Sequence, residues 1–151
     1  MIDNDKQNFI NRLRELMKEH NEMTPTALAR VAHCDLHAVC RWLDGSFFPR
    51  FAHLITLTNF FSVSIDFLLG LTEDDSLSRL AVPILFPERL AELMKEANLT
   101  RYALAKILKI KITTISKWFE QINMPETQTL IKMSRIFNVT IEYLTGLTSH
   151  E

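Results

Sequence analysis

The sequence nearly repeats itself, and this constrains the fold more than any other feature. "VSIDFLLGLT" at Val63 to Thr72 returns as "VTIEYLTGLT" at Val139 to Thr148, 76 positions later. Followed outward, the register holds through Ala27 with Ala103, Leu28 with Leu104, Val39 with Ile115, Trp42 with Trp118, Pro49 with Pro125, Phe61 with Phe137 and Gly70 with Gly146. Upstream of a one-residue slip near Asn21, "RLRELMKE" from Arg12 pairs with "RLAELMKE" from Arg89. Ordered identity at a fixed offset over most of 151 residues is the signature of an internal duplication. Two small domains are therefore expected, at 8–72 and 85–148, joined by a linker at 73–84 that begins acidic and contains Pro83.

Within each copy the apolar spacing is helical. Phe9, Leu13, Leu16 and Met17 fall at i, i+4, i+7 and i+8, as do Phe86, Leu90, Leu93 and Met94, which predicts a first amphipathic helix. Thr24 and Thr100 have the chemistry of N-caps for a short second helix. A third carries Val39 and Trp42, or Ile115 and Trp118, with each tryptophan expected as a core anchor. Pro49 and Pro125 separate it from a fourth. Ser64 and Thr140 can cap a fifth that Gly70 and Gly146 stop. No alternating strand pattern of useful length is present, so the expected fold is all-α, two tandem bundles of about five helices.

At 47% hydrophobic and 23% charged residues the composition is that of a globular chain. No apolar run approaches the ~18–20 residues of a membrane span, and "MIDNDKQNFI" lacks a secretory start, so no membrane partner and a cytoplasmic location are expected. Cys34 and Cys40 suggest no disulfide framework. The only glycines, Gly45, Gly70 and Gly146, leave no phosphate-cradling loop, and no nucleophile stands near a His and an acid in a recognisable order. Neither catalysis nor a cofactor is expected.

The segment "LTRYALAKILKIKITTISKWFEQINMPETQTLIKMSRIFNVTIEYLTGL" resembles the Cro/repressor type of helix-turn-helix domain, with its "ALA" helix, tight turn, "TTISKW" recognition helix, proline loop and glycine-ended tail. The first copy is similar through "ALARVAHCDLHAVCRWLDGSFFPR", less closely. The resemblance implies a transcriptional regulator binding double-stranded DNA, with the third helix of a copy in the major groove. On the second copy it implies contacts from Arg101, Lys106, Lys109, Lys111, Thr113, Thr114, Ser116 and Lys117, where basic groups grip phosphate and short polar ones meet base edges. On the first, His37 and Arg41 are the matching candidates. An ordinary solvated face is the plainer reading of the same lysines.

The copies differ in charge. From Arg101 to Lys117 there are five bases and no acid, whereas Pro25 to Arg41 holds Arg30 and Arg41 against Asp35. Over residues 76–151, ten bases face seven acids, a net +3; over 1–75, seven face eleven, a net −4. Base reading is therefore expected mainly from the second copy. Asp35, at the mouth of the recognition helix, should repel phosphate, although a carboxylate there could accept from a cytosine amino group.

Both copies depart from the family pattern. His33 and Lys109 stand where the turn usually has glycine, so a strained or altered turn is expected. Leu43 and Phe119 replace a glutamate that pairs with an arginine of the first helix, depriving Arg12 and Arg89 of that partner. Leu43, Phe47 and Phe48 suggest a protein or homodimer interface on the first copy, although Phe47 and Phe48 read equally as core. The alternative to DNA binding is a repressor-like interaction or dimerisation module. His33, His37 and Cys40 have metal-ligand spacing, but the aligned Lys109, Thr113 and Ser116 carry no trace of ligands, so no metal is expected. Cys34, aligned with Ile110, should point into the core.

Overall fold

The computed structural model describes residues 3–151; Met1 and Ile2, part of the N-terminal stretch read above, lie outside the described residues. All regular structure among them is helical: α1 (Asn4–Glu19), α2 (Pro25–Ala32), α3 (Leu36–Leu43), α4 (Phe51–Phe61), α5 (Ile65–Leu68), α6 (Phe86–Glu96), α7 (Arg101–Leu108), α8 (Ile112–Phe119), α9 (Thr127–Phe137) and α10 (Ile141–Leu144). The chain separates into two compact units between Leu77 and Ser78, with α1–α5 in the first and α6–α10 in the second. No helix of the described residues is long and apolar enough to cross a membrane.

Helix starts are written locally. Thr24 accepts from the Ala27 amide at 3.1 Å and Thr100 from Ala103 at 3.1 Å. Ser64 does the same for Phe67 at 3.0 Å and Thr140 for Tyr143 at 3.1 Å. Each cap satisfies an amide the helix itself cannot, for about 1 kcal/mol. The turn residues His33 and Lys109 adopt left-handed φ of 56° and 59°. The next amide returns to Ala29 O or Ala105 O at 3.0 Å, so both turns keep the same geometry despite lacking glycine. The expected strain is thus the cost of a left-handed residue that carries a side chain, and it is met in the same way in both copies.

The one-residue slip also has a local cause. After α6, Asn98 alone is left-handed (φ 55°) and the Leu99 amide bonds back to Met94 O at 2.9 Å. After α1, Asn21 and Glu22 are both left-handed (φ 58° and 51°), and the Met23 amide reaches Met17 O at 2.8 Å. The extra residue is absorbed in the turn, and the following helix keeps register.

Each unit has its own core. In the first, Phe9, Leu13, Leu28, Val39, Trp42, Leu54, Leu57, Ile65 and Leu68 are buried; in the second, Phe86, Leu90, Leu104, Ile115, Trp118, Leu130, Met133, Ile141 and Leu144. Each such large apolar side chain contributes ~1.5–3 kcal/mol through burial. Arg12 and Arg89 are buried beside these cores and do have partners. Arg12 Nη1 donates to Phe67 O (2.6 Å) and Thr72 O (3.2 Å), and its guanidinium lies 3.8 Å from the Phe67 ring centre. Arg89 Nη1 donates to Tyr143 O and to Thr148 O (3.2 Å), 3.8 Å from the Tyr143 ring centre. Carboxylates pair with both as well: Arg12 Nη2 donates to Glu73 Oε1 at 3.0 Å and its Nε lies 3.5 Å from Glu15, while Arg89 Nε lies 3.5 Å from Glu92, so tail carbonyls, an aromatic face and other glutamates together take the place of the missing one.

Residues 78–84 belong structurally to the second unit. The Leu80 amide donates to Leu147 O and the Ile84 amide to Gly146 O, both at 2.8 Å, and Arg79 grips buried Glu142 with two bonds of 3.1 and 2.8 Å. Gly146 is left-handed (φ 80°), and a Cβ there would sit 1.9 Å from Ile84 O. No other residue fits that crossing.

Candidate nucleic-acid interface

In the second unit, α7, the Lys109 turn and α8 form the helix-turn-helix. At 3.6 residues per turn, Ile115 and Trp118 turn into the core while Ile112, Thr113, Ser116 and Lys117 share the outward side of α8. Lys111 and Thr113 are exposed; Ser116 is half-buried, and so is Thr114, which lies on the shoulder towards Trp118. Arg101, Lys106 and Lys109 are exposed on α7 and its turn. Lys106 Nζ lies 5.8 Å from the Tyr102 ring centre. The Arg101 guanidinium stacks on the Phe119 ring, 4.0 Å from its centre, so the residue that replaces the family's glutamate holds a cation at the start of α7. Such stacking limits the side chain's rotamers without neutralising its charge.

The entrance to α8 is open. Lys111 occupies the N-cap and offers no side-chain acceptor to the first turn. The partial positive charge of that turn and the Lys111 ammonium thus add together, which suits an anion.

The first unit uses the same scaffold with different surface chemistry. Asp35 is the N-cap of α3, accepting from the Ala38 amide at 2.9 Å. Its carboxylate therefore has a structural role, in addition to the negative charge it puts at the helix entrance. His37 and Arg41, aligned with Thr113 and Lys117, are exposed and bonded to each other: Arg41 Nε donates to His37 Nε2 at 3.3 Å. Pro25 and Leu43, aligned with Arg101 and Phe119, line a shallow groove with Met17 and Met23.

Two expectations about the first unit need correction. Phe48 is 9% exposed and packs on Phe9 with ring centres 5.8 Å apart, so it is a core residue and no part of an interface. Phe47, its neighbour, is 50% exposed, and Leu43 is half-buried. Cys34 is only half-buried and does not enter the core; burial, then the nearby Asp35, pushes its thiol pKa up, away from the thiolate form. Among the described residues no three His, Cys, Asp or Glu side chains gather as metal ligands would.

Residues 90–144 match the helix-turn-helix family model, a span running from Leu90 in α6 to Leu144 at the end of α10. The second unit thus carries a helix-turn-helix domain of the Cro/repressor type, a class of DNA-binding domains. A crystal structure of a transcriptional regulator from Listeria innocua is similar at 24% identity, with a TM-score of 0.41, over 46% of this chain and 65% of that one. No curated protein matches the sequence.

Proposed function

We propose that the protein is a sequence-specific regulator of transcription that binds duplex DNA mainly through the second unit, with α8 in the major groove. The observation that carries this reading is a coincidence of place: the residues that match the helix-turn-helix family contain the window from Arg101 to Lys117, in which Arg101, Lys106, Lys109, Lys111 and Lys117 are all exposed and no acid occurs. These five cations hold phosphates and fix the register of α8. Thr113 and Ser116 meet base edges, with Thr114 at the margin. The first unit adds at most His37 and Arg41. A single head of this kind is usually too weak for specific control, so a second is supplied by a homodimer or by the first unit.

A partner role for the first unit has its own support in two features, half-exposed Phe47 and a groove lined by Met17, Met23, Pro25 and Leu43 together with Arg14, Lys18 and Glu22. It is a surface for a second protein or a second copy, and compatible with DNA binding next door.

Titrating the full chain with a mixed-sequence duplex over rising salt tests the main reading. Binding should weaken linearly on logarithmic axes, with a slope towards about −4 if most of the five cations meet phosphate. Arg101→Ala and Lys117→Ala should weaken binding to every duplex, whereas Thr113→Ala should remove ~1–3 kcal/mol of discrimination between a selected site and random DNA. Absence of duplex binding at about 50 mM salt leaves the interaction-module reading in its place.

A further inference from the structure

Ile112 is the first residue of α8, 44% exposed, on the same outward side as Thr113, Ser116 and Lys117. The core does not require it, since Ile115 and Trp118 already fill the buried side of the helix. Single exposed aliphatics are common and ordinarily mean nothing. This one is distinguished by its counterpart: Leu36, the first residue of α3, is 45% exposed at the aligned position, although the neighbours on that side have changed from Thr113, Ser116 and Lys117 to His37, Cys40 and Arg41. The other exposed apolar residues of α7 and the loop after α8 have no such match. Tyr102 aligns with Thr26, Ile107 with half-buried Val31, and Ile122 with Ser46.

Resting on the proposed DNA reading, we infer that Ile112 reads the C5-methyl group of a thymine, so that the target of the second unit carries a thymine at the base pair facing the start of α8. In the major groove only thymine presents a methyl group, and an aliphatic side chain is the complement to it that polar readers cannot supply. Phosphate contacts from Lys111 and Lys117 on either side would press the start of α8 into the groove. Contact between Ile112 and the methyl removes apolar surface of both from water, while Thr113 and Ser116 remain free to hydrogen-bond neighbouring bases.

Deoxyuridine, which differs from thymidine only by that methyl, provides the test. A duplex is selected from a random pool by the full chain, then resynthesised with each thymine replaced singly by dU. At one thymine per bound second unit the replacement should weaken binding about fourfold, the equivalent of one buried methyl at ~0.8 kcal/mol. Ile112→Ala should bind the dT and dU duplexes equally, whereas Ile112→Val, which keeps a branched aliphatic, should still distinguish them. Salt-dependent binding with no dU penalty at any position, or a penalty that survives Ile112→Ala, overturns the inference and leaves the DNA reading standing. Absence of salt-dependent duplex binding overturns both.

Discussion

At the entrance to the third helix the first unit places Asp35 and the second Lys111. The aspartate caps α3 at 2.9 Å and lowers the local charge; the lysine caps nothing and raises it. A few positions away the same exchange recurs, with Pro25 and Leu43 in the first unit where Arg101 stacks on Phe119 in the second. Beneath these surfaces the two scaffolds agree closely: the same threonine caps, the same left-handed turn, the same buried arginine bonded to the tail. The contrast teaches that a duplicated fold can hold its core while the exposed positions around its third helix diverge, one copy gaining a helix cap and the other a cation.

The scaffold's shared closure is where a single change should have the largest effect. Gly70 and Gly146 are both left-handed, but an added Cβ would meet Asn8 O at 2.7 Å in the first unit and Ile84 O at 1.9 Å in the second. Gly146→Ala should therefore cost more than the ~1–3 kcal/mol of a forced left-handed side chain, and more than Gly70→Ala. Chemical unfolding of the two variants measures it; an equal or larger loss from Gly70→Ala would mean that residues 78–84 do not close the second unit as described.

Next in size is a direct swap at the helix entrance. Lys111→Asp gives α8 the cap that α3 already has, so the second unit should gain about 1 kcal/mol in thermal unfolding while losing duplex affinity. Gain in stability without loss of binding would remove Lys111 from the interface. The smallest effect concerns Phe119. Phe119→Leu recreates the first unit's residue and releases Arg101, and should weaken duplex binding roughly two- to fivefold, the ~0.5–1 kcal/mol of an exposed cation–π contact, with the salt slope unchanged because no charge is lost. A flattened slope would show that Arg101 needs the ring to reach phosphate at all.

Much of this architecture was legible in the sequence, for reasons specific to each residue. Thr24, Ser64, Thr100 and Thr140 stand just before helical apolar patterns, and capping chemistry is local, so their roles could be read directly. The tail carbonyls that accept from Arg12 and Arg89 could not, because they lie more than fifty residues downstream and no side-chain pattern marks them. Phe47 and Phe48 sit in a loop without periodicity, and nothing local told which would turn inward. Asp35 declares its charge and its capacity to accept, but an aspartate preceding an apolar helix is also an N-cap signal, which only the bond to Ala38 singles out. Ile112 has no polar group to mark it, and an aliphatic residue in a helix reads first as core; its exposure, matched by Leu36 in the first unit, is visible only in the fold.

The central claim, that the second unit holds the DNA and the first largely does not, can be tested with residues that the duplication itself pairs. Lys106 aligns with Arg30 and Lys117 with Arg41, and all four are exposed. In the full chain, Lys106→Ala with Lys117→Ala should make the salt slope of duplex binding shallower by about 1.8, the share of two phosphate contacts, while Arg30→Ala with Arg41→Ala should change it by less than about 0.5. Equal flattening by the two double variants would contradict the division and make the chain a covalent pair of DNA readers.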